Sequence, residues 1–127
     1  MERNGVPAAP LIAIVDDDQS MLHALVGLVR SAGYDVRGFA SAEDFLGCGM
    51  VARFACIVTD VQMPGISGIE LMRHLAVSGE TAPVIMITAR HDPGLEERAL
   101  ASGAACFLRK PVAADELIGC LESALGR

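Results

Sequence analysis

The feature that most constrains the fold is a regular alternation of short apolar runs with segments of helical periodicity. Five apolar runs are too short for helices, and four of them are rich in β-branched or aromatic residues, so we interpret all five as β-strands. They cover residues 11–15, 34–39, 54–59, 83–88 and 105–108. The segments between them carry apolar residues at the spacing of an amphipathic helix, clearest at Leu22, Leu25, Val26 and Val29, at Ile69, Met72 and Leu75, and at Leu117, Ile118, Leu121 and Leu125.

Local signals mark the ends of these elements. Gly33 and Gly103 follow helical segments, where a glycine in the left-handed conformation commonly ends a helix. The segment Ser41-Ala42-Glu43-Asp44 opens the second helix like a capping box. The resulting order is a strand followed by a helix, five times over.

This order predicts an α/β fold built around one parallel sheet. Strands 1 and 3 to 5 look apolar on both faces, as expected when helices cover both sides of a sheet. Right-handed crossovers leave few topologies for such a chain. We predict a doubly wound five-stranded parallel sheet of order 2-1-3-4-5, a flavodoxin-like (βα)5 arrangement.

The length and composition fit a single folded domain. The chain has 127 residues, of which 52% are apolar and 20% charged, so it can bury a core without disulfides or a structural metal. We assign residues 10–127 to this domain and residues 1–9 to a loose leader. The excess of acidic residues gives a formal charge of −6, which argues against direct nucleic-acid binding by this chain.

The N-terminal apolar stretch and the four cysteines show no targeting or metal-binding pattern. Residues 8–15 are too few to cross a membrane and lead into carboxylates rather than a cleavage site, so we predict neither a signal peptide nor a membrane segment. Cys48, Cys56, Cys106 and Cys120 lack the spacing of a zinc site. We expect all four to be reduced thiols in a cytoplasmic protein.

Polar side chains stand at the ends of four of the five predicted strands. In chain order they are Asp16-Asp17-Asp18 after strand 1, Asp60 after strand 3, Thr88 at the end of strand 4 and Lys110 after strand 5. Each has an ordinary interpretation: Asp18 as the cap of helix 1, which we favour, and the others as a loop carboxylate, a strand-end hydroxyl and a solvated charge. Together, however, they share the sheet edge where ligands bind in such folds.

The chemistry of this cluster suits a phosphoryl group. Crowded carboxylates repel one another, and at least one would be protonated unless a cation joined them. Hard oxygen ligands with room for water favour Mg²⁺, which commonly sits beside phosphate. With Lys110 as a second positive charge, a free carboxylate at the site can act as a nucleophile and form an aspartyl-phosphate.

Four segments carry a specific resemblance to a known family. Over residues 10–125 the chain resembles the receiver domain of two-component response regulators. The matching segments, in this order and at this spacing, are Ile14-Val15-Asp16-Asp17-Asp18, Thr59-Asp60-Val61-Gln62-Met63-Pro64-Gly65-Ile66-Ser67-Gly68, Ile87-Thr88-Ala89 and Leu108-Arg109-Lys110-Pro111.

The resemblance assigns a phosphoacceptor and a metal site. Asp60 matches the phosphoacceptor of the family. Asp17 matches a direct metal ligand, and Asp16 matches a carboxylate that acts largely through metal-bound water. Asp60 and the backbone carbonyl of Gln62 complete the expected ligand set for Mg²⁺ or Mn²⁺.

The resemblance also assigns the groups that contact the phosphoryl group and respond to it. Lys110 matches the lysine that pairs with Asp60 and then with the phosphate, and its bond to Pro111 matches a cis peptide. Thr88 matches the hydroxyl that moves onto a phosphoryl oxygen. Phe107 falls at the aromatic switch position, although an ordinary core residue is the alternative interpretation.

The implied function is that of a switch in a phosphorelay, in which a histidine kinase or phosphotransfer protein phosphorylates Asp60 and the domain changes conformation to control an output. The family is a signalling phosphoacceptor rather than an enzyme, and catalyses only its own phosphoryl transfer and slow autodephosphorylation. We predict that the phosphorylated form self-associates, or binds its target, through helix 4, strand 5 and helix 5.

The segment 39–46 and the Thr-Asp-Val run further resemble FixJ-type regulators, whose usual output is a DNA-binding helix-turn-helix. Because no such segment is present before Arg127, the chain is interpreted either as a stand-alone receiver or as half of a larger regulator.

Three other functions use related parts. A haloacid-dehalogenase-type phosphatase would need a Gly-Thr continuation after its two carboxylates, where this chain has Gln19-Ser20. A flavin-binding module would need a phosphate loop after strand 1, where three acids would repel phosphate. A pseudo-receiver normally lacks one of the key groups, and none is missing here. We therefore favour the receiver over all three.

Overall fold

The computed structural model of the protein describes residues 9–126 and contains, within that range, five β-strands alternating with five α-helices. A short 3₁₀ helix, Val51–Arg53, lies before the third strand. The bounds are β1 (Leu11–Val15), α1 (Gln19–Ser31), β2 (Asp35–Phe39), α2 (Ala42–Leu46), β3 (Cys56–Asp60), α3 (Gly68–Val77), β4 (Val84–Thr88), α4 (Leu95–Ala101), β5 (Cys106–Arg109) and α5 (Ala114–Ala124).

The strands form one parallel sheet in the order β2-β1-β3-β4-β5, which confirms the predicted fold class and strand order. The register aligns the carboxyl ends of the central strands. Asp60 lies opposite Ile87, and Thr88 lies opposite Arg109. The residues that end β3, β4 and β5 therefore meet along one edge, as the strand order required.

Two hydrophobic layers hold the helices against the sheet. On one face, side chains of α2, α3 and α4 pack on β-strand residues such as Ile57 and Met86. On the other face, α1 and α5 pack on residues such as Ile12 and Val58. Full burial of one such aliphatic side chain stabilises the fold by roughly 1.5–3 kcal/mol. Because helices cover both faces of the sheet, the central strands consist almost entirely of apolar residues.

β5 departs from the prediction that it is apolar on both faces. Its four residues are all half-buried, whereas every residue of β3 and β4 is buried. The physical reason is that β5 is an edge strand, paired only with β4, and it also extends through the charged Arg109.

The helix boundaries follow the predicted signals with one exception. Gly33 and Gly103 have positive φ angles of 99° and 104°, as expected for residues that end helices. Ser41 caps α2 by accepting the N–H of Asp44, but the reciprocal bond of a capping box is missing there. The Glu43 carboxylate instead accepts the N–H of a residue in the β3–α3 loop.

A disulfide joins Cys106 in β5 to Cys120 in α5, so the prediction that all four cysteines are reduced was wrong for this pair. Cys48 and Cys56 are free, as predicted. The two bonded residues are 14 positions apart, and no sequence motif marks them as a pair. They meet because α5 folds back over the edge strand. Their Cα atoms lie 6.3 Å apart, within the range that a disulfide can bridge.

The predicted leader, residues 1–9, lies outside the described residues except for Ala9, which is half-buried. Among residues 9–126, none of the helices combines the length and apolar character required to span a bilayer.

Candidate functional site

The site is built from residues that end or follow four neighbouring strands. The backbone N–H of Asp16, directly after β1, donates to the carbonyl of Phe39 at 3.0 Å and so extends the strand ladder. Asp60 closes β3 and Thr88 closes β4, while the N–H of Lys110 donates to the carbonyl of Thr88 at 2.8 Å. Ladder hydrogen bonds thus fix the backbone under each functional side chain.

Lys110 is the centre of the charged cluster. Its Nζ lies 3.0 Å from Oδ2 of Asp16 and 3.0 Å from Oδ2 of Asp60. The two remaining carboxylate oxygens accept backbone N–H groups two residues further along, from Asp18 to Asp16 at 2.9 Å and from Gln62 to Asp60 at 3.2 Å. Each carboxylate is therefore held by one ammonium and one amide, which limits its rotation.

Burial sets the protonation preferences of this cluster. Asp16 is only 1% exposed, and this desolvation raises the pKa of its carboxyl group. The nearby charge of Asp60 also raises this pKa, whereas the N–H of Asp18 and the ammonium of Lys110 lower it. For Lys110, burial alone would lower the pKa, but hydrogen bonds to Asp16 and Asp60 outweigh it and raise the pKa. An ion pair ordinarily lowers the pKa of its carboxyl partner, but for Asp16 the effect of burial is larger than that of Lys110.

The carboxylates of Asp16, Asp17 and Asp60 converge, with one oxygen of each lying within 4.8 Å of the others. Asp16 is buried and Asp17 is exposed, so the cluster opens to solvent on one side. Lys110 supplies one positive charge to three carboxylates, which leaves a negative excess. Hard oxygens with access to water are the donor set that Mg²⁺ prefers, and the residues present therefore fit a divalent cation.

Asp18 and Gln62 lie at the margin of the cluster. Asp18 is the N-cap of α1 and accepts the N–H of Met21 at 3.1 Å, which confirms its predicted capping role. The N–H of Gln62 bonds Asp60, and the side chain of Gln62 is exposed. The role of the Gln62 carbonyl as a ligand stays a prediction.

Thr88 is fully buried at the rim, and its hydroxyl accepts the N–H of Arg90 at 3.0 Å. The hydroxyl is thus held by its own loop in this conformation. The peptide between Lys110 and Pro111 is cis, the geometry that the family resemblance implied.

Phe107 is half-buried on β5 and packs against the hydrophobic layer that holds α2, α3 and α4. The guanidinium carbon of Arg109 lies 5.2 Å from the centre of its ring. Arg109 also donates to the carbonyl of Arg90 at 2.9 Å and pairs with Glu96 of α4 at 3.6 Å. One arginine therefore contacts the aromatic residue, the loop after Thr88 and α4.

These contacts of Arg109 were not predicted from the sequence, where the residue stood out only as part of the Leu108-Arg109-Lys110-Pro111 segment. One signal was available: Arg109 follows Phe107 by two positions in a strand, so both side chains project to the same face. The contacts to Arg90 and Glu96 depend on the packing of other elements and have no local signal.

The loop after Asp60 is braced by contacts that were not predicted, although the Ser67-to-Glu70 spacing is the sequence signature of a capping box. The N–H of Gly68 donates to the carbonyl of Val61 at 2.9 Å, and a Cβ added at Gly68 would collide with the carbonyl oxygen of Asp60. Ser67 and Glu70 form a complete capping box at the start of α3. Glu43 accepts the N–H of Ile66 at 3.2 Å, so α2 also fixes this loop.

Comparison with known proteins agrees with this arrangement. Residues 12–122 match the family model of the response regulator receiver domain. The response regulator protein TodT of Pseudomonas putida F1 is 39% identical over 117 residues, which cover 92% of this chain and 52% of TodT. The transcriptional regulatory protein FixJ of Azorhizobium caulinodans is 38% identical over 122 residues, covering 96% of this chain and 58% of FixJ. The chain thus spans about half the length of these relatives.

The fold comparison points the same way. The crystal structure of the chemotaxis protein CheY4 of Vibrio cholerae superimposes with a TM-score of 0.84 at 28% identity, covering 93% of this chain and all (100%) of that one. These matches confirm the resemblance to FixJ-type receivers and exclude the phosphatase and flavin-binding alternatives. The chain belongs to the response regulator receiver domain family.

Proposed function

We propose that this chain accepts a phosphoryl group on Asp60 from a histidine kinase or a phosphotransfer protein and switches conformation in response. The observation that carries the proposal is the position of Lys110, whose ammonium lies 3.0 Å from both Asp16 and Asp60 within a cluster of three carboxylates. Such a cluster joins a nucleophile to the positive charge that phosphoryl transfer requires.

Asp60 is the proposed nucleophile. One of its carboxylate oxygens attacks the phosphorus of the donor phosphohistidine, the P–N bond breaks, and the bonding electrons leave with the imidazole nitrogen. Lys110 and the N–H of Gln62 orient the carboxylate before attack. After transfer, Lys110 offsets the charge of the phosphoryl oxygens.

Mg²⁺ or Mn²⁺ is the proposed cofactor, held by Asp16, Asp17, Asp60 and the backbone carbonyl of Gln62. When bound, it supplies positive charge beside the phosphoryl oxygens. Asp16 is buried and is anchored by Lys110 and by the N–H of Asp18, so it serves as a fixed wall of the site. Asp17 is exposed and completes the ligand set from the solvent side.

Thr88 and Phe107 are proposed to transmit the change. To reach a phosphoryl oxygen, the Thr88 hydroxyl must move inward with its loop, which includes Arg90, the residue whose N–H it accepts. The vacated space can accept the ring of Phe107, which has no hydroxyl to leave unsatisfied when buried. The face formed by α4, β5 and α5 then changes shape and mediates self-association or target binding.

The chain is proposed to be a cytoplasmic signalling phosphoacceptor. It would catalyse its own phosphorylation and slow autodephosphorylation and no other reaction, and it would not itself contact nucleic acid, given its charge of −6. A pseudo-receiver is disfavoured because Asp16, Asp17, Asp60, Thr88 and Lys110 are all present at the site.

Acetyl phosphate with Mg²⁺ tests the chemical part of the proposal. We expect the mass of the intact protein to increase by one phosphoryl group, and Asp60→Asn to abolish the increase while preserving the circular dichroism spectrum. The Asn side chain keeps the shape but lacks the nucleophilic oxygen anion. Stable phosphorylation of Asp60→Asn would contradict the assignment.

A further inference from the structure

The disulfide between Cys106 and Cys120 links the two elements on which the proposed output depends. Cys106 is the first residue of β5, opposite Ile85 of β4, and Cys120 lies in α5 beside the buried Leu121. Both cysteines are half-buried at the layer that joins α5 to the sheet. Unlike Cys56, neither residue is sealed in the core.

The bond joins an edge strand to the helix that packs on it. β5 is an edge strand with one neighbour, and its residues are half-buried. α5 buries Leu117 and Leu121 completely. A covalent link across this contact limits how far β5 and α5 can shift relative to each other. Phe107 directly follows Cys106, so the linked segment includes the proposed aromatic switch.

We propose that Cys106 and Cys120 form a reversible oxidative modification site, a dithiol that hydrogen peroxide converts to a disulfide, and that the disulfide restrains the response of the α4–β5–α5 face. The restraint rests on the proposed switching function, whereas the oxidation does not. In a reducing compartment, disulfides that do form are usually transient and redox-sensing, which fits an accessible pair better than a permanent staple.

The chemistry needs one peroxide for each disulfide. A thiolate of one cysteine attacks a peroxide oxygen, the O–O bond breaks, and a sulfenic acid and hydroxide form. The second thiol then attacks the sulfenic sulfur; the S–S bond forms and the S–OH oxygen leaves as water. The two sulfurs lose two electrons in total, and the peroxide is reduced to two waters. A dithiol reductant reverses the reaction by thiol–disulfide exchange.

The other two cysteines serve as internal controls. Cys56 is completely buried (0% exposed), and burial raises the pKa of its thiol to about 12, so almost no thiolate is present near neutral pH. Cys48 is half-buried and free. Neither is bonded to Cys106 or Cys120.

Peptide mass mapping without reductant tests the oxidation. After reduction and removal of the reductant, stoichiometric peroxide should convert the Cys106 and Cys120 peptides to one linked peptide lacking two hydrogens, in wild type and in Cys48→Ser alike. The disulfide should raise Tm by roughly 10 °C, because it closes a loop of about 15 residues. Recovery of free or over-oxidised Cys106 and Cys120 without the linked peptide would overturn the modification site.

Beryllofluoride-induced association, measured by sedimentation, tests the restraint. We expect oxidised wild type to associate at least about fivefold more weakly than reduced wild type. Cys120→Ser should associate like the reduced form under both conditions. Equal association of the two redox forms, or no association in either, would overturn the restraint. Uptake of phosphate from acetyl phosphate by the reduced protein separately decides the proposed function.

Discussion

At the scale of single residues, the site depends on one lysine shared by two carboxylates that arrive from different strands. Asp16 and Asp60 each place one oxygen on Lys110 and the other on a backbone N–H. This pattern fixes the Asp60 carboxylate, the proposed nucleophile, without neutralising the cluster, because Asp17 adds a third carboxylate and no further positive charge. The remaining negative excess is what a divalent cation would offset.

Cys56 provides a test of burial energetics that is independent of the site. Its pKa is raised from 9.0 to about 12, so its contribution to stability is fully present below pH 9 and is lost as the pH rises through about 12. We expect wild type to lose up to ~4 kcal/mol relative to Cys56→Ala over this window. Urea unfolding of both proteins, in a Cys106→Ser/Cys120→Ser background that prevents disulfide exchange, measures the difference.

If the free energies of unfolding of the two proteins change in parallel between pH 8 and 11, the Cys56 thiol is not desolvated. At pH 7 the Cys106→Ser/Cys120→Ser protein should have the same circular dichroism spectrum as wild type, which shows that the two substitutions preserve the fold.

The residues at the strand ends could be predicted because their positions follow from topology alone. Asp16, Asp60, Thr88 and Lys110 each end or directly follow a strand, and parallel strands bring such residues to one edge. Glu43 was predicted only as part of a cap, since its bond to Ile66 spans 23 residues. The Cys106–Cys120 bond was missed for a similar reason: which side chains of β5 and α5 meet depends on how the helix packs on the strand.

At the scale of elements, the contacts of Arg109 join β5 to α4 and to the loop after β4. Its guanidinium lies over Phe107, donates to the Arg90 carbonyl and pairs with Glu96. α4 has seven residues with only Leu95 and Ala99 buried. An element with so few anchors is among those that shift most readily, and Arg109 contacts it through the ion pair with Glu96.

Substitution of Arg109 tests this coupling. We expect Arg109→Ala to leave phosphorylation of Asp60 intact and to raise self-association before activation by up to about fivefold, since it removes a partly exposed ion pair and a cation–π contact. Arg109→Lys keeps the positive charge but lacks the planar, forked guanidinium, so its self-association should lie between those of wild type and Arg109→Ala. Sedimentation with and without beryllofluoride measures the effect.

Arg73→Ala, which changes an exposed arginine of α3, is the matched control and should behave as wild type. If Arg109→Ala and Arg73→Ala associate equally, Arg109 does not hold α4 and β5 in the unactivated arrangement.

The element order and sheet topology were predictable because the periodicity of the apolar residues changes from strand to helix at each boundary. The bounds of β2 to β5 shifted by one or two residues, since strand ends depend on pairing partners rather than on composition. The exposure of β5 was not predictable in the same way, because an edge strand and a central strand can have similar local sequences.

At the scale of the whole molecule, the proposed metal site predicts that Mg²⁺ stabilises the fold. A ligand that binds only the native state stabilises it by mass action, by about 2.7 kcal/mol at a hundredfold excess over Kd. We therefore expect millimolar Mg²⁺ to raise Tm by several degrees relative to EDTA. Asp17→Asn should melt slightly higher than wild type in EDTA, because repulsion is relieved, and should gain little from Mg²⁺. Differential scanning calorimetry measures both.

Identical melting of wild type in EDTA and in Mg²⁺ would exclude the proposed metal site. A matched substitution of a carboxylate at the opposite edge of the sheet, Asp35→Asn at the exposed first residue of β2, should retain the full response to Mg²⁺.

The most direct measurement of the central claim is the location of the phosphoryl group within the chain. Borohydride reduces an acyl phosphate to an alcohol, so a phosphorylated aspartate becomes homoserine and can be identified by peptide mass mapping. After treatment with acetyl phosphate and Mg²⁺, we predict homoserine at position 60 and unmodified aspartate at positions 16 and 17. Homoserine at either of those positions, or no homoserine in the chain, would contradict the account.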